Sequence, residues 1–181
     1  MKKILIIITA LMVILSCATT KEAKLSRIEL RNEKKIVEQA LIKNAVESRR
    51  FIIKLDKLYF SYGGFADLIP RANYMIIDGE KAIISAAYLG RQYNIRGIAG
   101  INMFGKAMNY ELTSDLTRGS YDIKMKVNNG NTSFDVYLRI SKNGFCSASV
   151  SGLKIDYIRY SGHIVAMKDK TNTPLPEGNV I

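Results

Sequence analysis

Tyr121-Asp122-Ile123-Lys124-Met125-Lys126-Val127, followed after Asn129-Gly130 by Phe134-Asp135-Val136-Tyr137-Leu138-Arg139-Ile140, is the stretch that decides the fold. Successive side chains of an extended chain point to opposite faces. Tyr121, Ile123, Met125 and Val127 therefore share one face, as do Phe134, Val136, Leu138 and Ile140, while Asp122, Lys124, Lys126, Asp135, Tyr137 and Arg139 face water. Asn-Gly between the two runs supplies the positive φ that a tight antiparallel turn needs. The stretch reads as a hairpin of two half-buried strands. Asp78-Gly79 and Asn143-Gly144 mark two further hairpins in the same way.

Working outward, the period of two recurs in Phe51, Ile53 and Leu55, through Tyr74 and Ile76, from Ile83 to Leu89, and through Met108, Tyr110 and Leu112. Further strands are expected from Ile155 to Tyr160 and from His163 to Met167. Seven to nine strands joined as a meander make an antiparallel sheet. With one apolar face it must curl against itself or against a helix, as a bent sheet, a flattened barrel or a sandwich. Ile36, Val37, Ala40, Leu41 and Ala45 fall at helical spacing opposite Glu38, Gln39, Lys43 and Glu47, which predicts an amphipathic helix to about Arg49 covering one face of that sheet. The expected class is α+β, one domain over residues 36–167, followed by a loose tail, 168–181, with Pro174 and Pro176.

The N-terminus carries an address. Behind Lys2 and Lys3, residues 4–15 hold no charge, too short a run to span a bilayer comfortably but the length of a signal-peptide core. It ends in Ile14-Leu15-Ser16-Cys17, which reads as a lipoprotein signal: residues 1–16 are removed, and the Cys17 thiol takes a diacylglyceryl group. Residues 17–35, rich in charge, then form a lipidated tether merging into the helix. Ala18 after the cysteine carries no acidic retention signal, so the expected address is the outer membrane, facing the periplasm.

The mature chain is 165 residues (181 less 16), enough for one domain with a core. It carries 25 basic side chains (27 less 2) against 16 acidic ones. An exported chain without an aromatic-rich basic motif is not expected to bind nucleic acid, so anionic lipid, lipopolysaccharide or peptidoglycan are the counter-charges to consider.

Chemistry is sparse. With Cys17 acylated, Cys146 is the only thiol and His163 the only histidine, so no intramolecular disulfide can form and a Cys-His dyad would need the fold to bring those two together. Cys146 alternates with Phe145 and Ser147 as a small buried strand residue would. Gly100 to Ala107 comes within one residue of a phosphate-binding loop, but Ala107 stands where a magnesium-binding hydroxyl belongs and a strand pattern follows instead of a helix. Neither a histidine and carboxylate cluster at metal spacing nor a Gly-x-Ser-x-Gly turn is present, so no metal, cofactor or catalytic set is expected.

One segment stands out as a candidate site, the stretch 88–105, which reads as a long glycine-rich loop. Arg91 and Arg96 offer planar forks to carboxylate or phosphate, Tyr88 and Tyr93 offer ring faces with polar ends, and Gly90 gives the backbone freedom to approach. Together they could hold an anionic or amphipathic ligand. The alternative is that these side chains plug the end of the sheet.

Several stretches together resemble a family of lipoproteins from Bacteroides-type bacteria, domain of unknown function 4251. They are the signal ending in Cys17, Ser48-Arg49-Arg50-Phe51, Asn73-Tyr74 before Asp78-Gly79, Tyr88-Leu89-Gly90-Arg91, the glycine-rich stretch to Gly105, Asn143-Gly144, and Ile158-Arg159-Tyr160-Ser161-Gly162-His163-Ile164. Ala87 departs from the proline expected there. The resemblance implies an envelope lipoprotein with a helix and an antiparallel sheet, and brings no activity with it.

The resulting expectation is a non-enzymatic envelope protein, held to the membrane through Cys17, that binds an amphipathic or anionic envelope molecule or a partner protein. A structural or assembly role without a small ligand is the alternative, and a hydrolase using His163 the third.

Overall fold

The computed structural model describes residues 27–92, 95–115, 117–153 and 155–167, without side chains at 89–92, 95–99 and 156. Helix α1 covers 27–47 and nine strands follow: β1 Arg50–Tyr59, β2 Phe65–Asp67, β3 Tyr74–Asp78, β4 Lys81–Gln92, β5 Ile95–Asp115, β6 Ser120–Asn128, β7 Ser133–Ser141, β8 Phe145–Gly152 and β9 Ile155–Ala166. All pairings are antiparallel between neighbours in sequence, except that β1 skips to β3 and also pairs with β9 from Phe51↔Ala166 to Tyr59↔Arg159. The meander thus closes on itself. β1 and β3 to β9 form an eight-stranded barrel, and the short β2 pairs with the end of β1 that β3 does not reach.

The three expected hairpins are present, with Gly79, Gly130 and Gly144 all at positive φ. At the barrel seam the approach of two backbones requires a glycine. A Cβ on Gly162 would lie 1.9 Å from the Lys54 carbonyl oxygen, where β1 bulges between Leu55 and Lys57.

Several expectations are corrected. The separate strands expected at 155–160 and from 163 form one, β9. On β3 it is Met75 and Ile77 that point inward, not Tyr74 and Ile76, because Tyr74 to Ile77 is apolar on both faces and its period carries no sign. Met108 is exposed while Tyr110 and Leu112 pack on the core. The β5 bulge between Met108 and Glu111, with Asn109 at φ 52°, inserts one residue and flips the phase.

The helix begins earlier than its apolar period, and the chain divides into two compact units at Glu38/Gln39. In the first unit, the described residues 27–38 are helical and exposed. In the second, the final turns bury Ile42, Ala45 and Val46, whereas Leu41 is exposed. That part of the helix packs on the barrel's core through these three residues and does not lie along its outer wall. It sits instead at the barrel end where Ile42 lies against Gly144 and the Tyr110 hydroxyl donates to the Val46 carbonyl at 2.8 Å. The guanidinium of Arg49 lies 4.6 Å from the centre of the same Tyr110 ring.

Candidate functional site

An eight-stranded barrel has an interior that side chains can just fill or that can hold one small ligand. Here it is filled. Phe51, Ile53, Leu55, Met75, Ile77, Ile84, Ile123, Leu138 and Ile140 are fully buried, and Tyr160 crosses from β9 to donate its hydroxyl to the Ala87 carbonyl at 2.9 Å. Burial raises the Tyr160 pKa, so the phenol stays a donor. Beside it, the Ala87 N–H donates to Asn73 Oδ1 at 2.7 Å, Asn73 Nδ2 donates to the Ile69 carbonyl, and the Asn73 carbonyl accepts from Leu55 N–H. β3 starts one residue after Asn73, so Asn73 and Tyr160 satisfy the backbone of β4 just where β3 no longer reaches it. Proline at 87 would have no N–H to give, which is why alanine suits this arrangement.

The described part of the stretch, 88–92 and 95–105, is not a loop. It belongs to two strands, β4 and β5, paired from Lys81↔Lys106 to Gln92↔Ile95, with Gly90 opposite Gly97 and Arg91 opposite Arg96. Spaced glycines gave it the look of a loop, yet here they continue the ladder. Tyr93 lies outside the described residues, as do the side chains of Arg91 and Arg96 and the whole of Cys17. Tyr88 is placed: 1% exposed, it faces the barrel interior. With Ile101, Met103, Phe134 and Ile155 it lines a cavity of about 170 Å³ between β5 and the β6–β7 turn. Most ligand pockets hold roughly 300 Å³ or more, so this one is small.

Cys146 and His163 are not brought together. Cys146 faces the core, fully buried, and burial pushes its thiol up to about 12, which keeps it protonated and inert. His163 faces outward, where its Nδ1 lies 2.7 Å from Asp56 Oδ2 and its ring meets the edge of Phe145. The described residues include no cluster of three metal-ligating side chains.

The barrel's outer wall is of two kinds. Across β9, β1, β3, β4 and β5 the register aligns Val165, Ile52, Ile76, Ile83 and Phe104 in one cross-strand row, every member apolar. Phe104 is 70% exposed and Val165 40%, Ile52 and Ile83 are half-buried, and only Ile76 at the centre is covered. One flanking row reads Arg50, Asp78, Lys81, Lys106, the other His163, Lys54, Tyr74, Ser85, Asn102. The only carboxylate in those rows, Asp78, is 3.3 Å from Arg50 Nε.

Across β5 to β9 the matching row reads Glu111, Lys124, Tyr137, Ser149, Arg159, without an aliphatic residue. Here Arg139 grips the Asp122 carboxylate through Nε at 2.7 Å and Nη2 at 3.2 Å, and the Tyr137 hydroxyl donates to the same carboxylate. The Arg139 hydrogen bonds hold the Asp122 pKa below the usual range. A groove of about 380 Å³ opens on this wall over Ser149 and Ser151.

A further cluster escaped the reading of the sequence. The β1–β2 turn exposes Tyr62 stacked on Phe60 at 5.2 Å, and Phe65 under the Lys57 ammonium at 3.9 Å. Its signal was the aromatic density of Tyr59-Phe60-Ser61-Tyr62-Gly63-Gly64-Phe65.

Fold and walls define a class: an antiparallel eight-stranded barrel, filled within, with a helical N-terminal segment. The sequence matches the family described as Domain of unknown function (DUF4251) over residues 33–164, and the chain belongs to that family. Among solved structures it is similar to the crystal structure of a DUF4251 family protein from Bacteroides eggerthii, with a TM-score of 0.63, 14% sequence identity, and coverage of 72% of this chain and 88% of that one. At that identity the likeness speaks for the fold. No curated protein matches.

Proposed function

We propose that this protein is a non-enzymatic envelope lipoprotein, anchored through Cys17 at the periplasmic side of the outer membrane, which holds an anionic amphiphile against its outer wall. The observation that carries this reading is the row Val165, Ile52, Ile76, Ile83, Phe104. Folding needs no apolar residues outside a barrel whose core is already full, and exposed apolar surface rimmed by polar groups commonly marks an interaction site. Four strand spacings make the row about 20 Å long, comparable with an extended acyl chain, and a flexible chain can follow the barrel's curve. Arg50, Lys54, Lys81 and Lys106 beside it suit a phosphate or carboxylate headgroup. A non-enzymatic role is supported by Cys146, which is fully buried and on the opposite face of the sheet from His163.

The test is native mass spectrometry, with lipid extraction, of the full chain isolated from the envelope of its host. A stoichiometric amphiphile retained by the wild type and lost in Phe104→Ser with Ile83→Thr supports the reading. An empty protein, or an amphiphile retained equally by the double variant, ends it. The filled interior also favours a second reading, an assembly protein whose apolar row packs on a partner. Crosslinking from position 104 to another protein in intact cells would single that out.

A further inference from the structure

The groove on the opposite wall has a different chemistry and does not depend on the apolar row. β8 places Ser147, Ser149 and Ser151 outward in succession, between the larger Asp135, Tyr137 and Arg139 of β7 and Tyr157 and Arg159 of β9. Small residues on the middle strand of three make a trough. Its floor is Ser149 and Ser151, its ring surfaces are Tyr137 and Tyr157, and Asn109 and Glu111 close it from the β5 side beyond Lys124 and Lys126. The Asn109 bulge sets that side, since it turns Glu111 outward opposite Lys124.

What such a trough would take follows from its inventory. Two carboxylates, Glu111 and Asp135, face two ammonium groups, Lys124 and Lys126, and Asp135 and Lys126 already pair at 3.4 Å. That balance gives an anion no advantage. Among the described residues, no hydrogen bond or ion pair occupies the side chains of Asn109, Glu111, Lys124, Ser149, Ser151 or Tyr157, so acceptors, donors and two-way hydroxyls all remain free to serve a ligand. Ser149 is itself only 8% exposed, and Tyr157 is 61% exposed. A ligand with many hydroxyls around apolar C–H faces matches this mixture of ring faces and short polar groups. The volume falls within the usual range for ligand pockets, and the groove is open at the surface, as a chain passing through it requires.

We propose that this groove is a glycan-binding site, taking an uncharged oligosaccharide segment along the Ser149–Ser151 trough with Tyr157 as its stacking platform and Glu111 as its principal hydroxyl acceptor. The test is saturation-transfer difference NMR of the full chain with chitotetraose and with maltotetraose, and with a sulfated tetrasaccharide as the anionic control. Saturation transfer to at least one neutral tetrasaccharide is expected, with affinity falling at least about tenfold in Tyr157→Ala and in Glu111→Gln, as loss of one contact or hydrogen bond implies. Both positions lie outside the core, so the variants keep the fold, which circular dichroism verifies. Phe104→Ser, on the other wall, leaves glycan binding unchanged. No transfer from either neutral sugar, transfer confined to the sulfated control, or affinities unaltered by both groove variants would overturn the proposal.

Discussion

The β6, β7 and β8 wall and the β1, β3 and β4 wall share one core but differ on the outside. In β7 apolar and polar residues alternate without exception from Phe134 to Ile140, so the inside is aliphatic and the outside is Asp135, Tyr137 and Arg139. In β3 and β4, Ile76 and Ile83 lie outside while Met75, Ile77 and Ile84 lie inside. The first wall has the residues that folding in water demands. The second has more apolar surface than folding demands, and the proposed amphiphile-binding surface rests on that excess.

Experiments can break or sharpen this contrast, from the seam outward. Gly162→Ala should have the largest effect, more than about 4 kcal/mol, because the added Cβ meets the Lys54 backbone, which cannot step aside without opening the barrel. A urea melt at the wild-type midpoint would refute the close approach. Inside, the walls should respond alike: Leu138→Ala and Met75→Ala each remove a fully buried side chain and should cost about 3 kcal/mol. If Ile76→Ala proved costlier than Met75→Ala, the faces of β3 would be reversed. Tyr160→Phe deletes the bond to the Ala87 carbonyl and should cost about 1 kcal/mol by the same melts.

Outside, the walls should diverge in binding and hardly in stability. Phe104→Ser should change the melt by less than about 0.5 kcal/mol yet reduce uptake of a hydrophobic dye, and undiminished uptake would show that the apolar row is not the accessible surface. Asp122→Asn should have the smallest effect. The Asp122 pKa is lowered in the folded protein, so its contribution is present above the unfolded value of about 3.9 and lost as pH falls through the folded one. The difference in urea midpoint between wild type and variant, seen at neutral pH, should therefore vanish in acid. A difference that persisted there would mean that Asp122 acts through shape and not charge.

The sequence was most legible where the alternation was strict. β6, β7 and β8 and the turns at Gly79, Gly130 and Gly144 could be read because polarity and turn chemistry agree there. The inward face of β3 could not, since Tyr74-Met75-Ile76-Ile77 supports either choice and only its partners decide. The phase flip in β5 depends on a bulge at Asn109, which leaves no mark in a simple period. Closure was equally hidden: it rests on pairing between β1 and β9, and no local pattern shows which strands meet at such separation. Of the candidate site, Tyr88 lies on a strand and faces the barrel interior, where alternation along β4 and not loop chemistry sets its direction. The serine trough went unremarked because Ser147, Ser149 and Ser151 look like ordinary solvent-facing residues until their taller neighbours are known.

The seam has a further consequence for how the chain acquires its shape. Of the described strands β1 is made first and β9 last, yet they share a ladder of hydrogen bonds from Phe51↔Ala166 onward. Until β9 emerges, a nascent sheet would carry two bare edges able to recruit strands from other chains. Bringing its ends together late makes folding slow, because the entropy of the long intervening segment is spent before the contact is gained. Nonsense mutations or proteolysis removing even the last strand would not trim this protein. They would leave an open sheet with two adhesive edges.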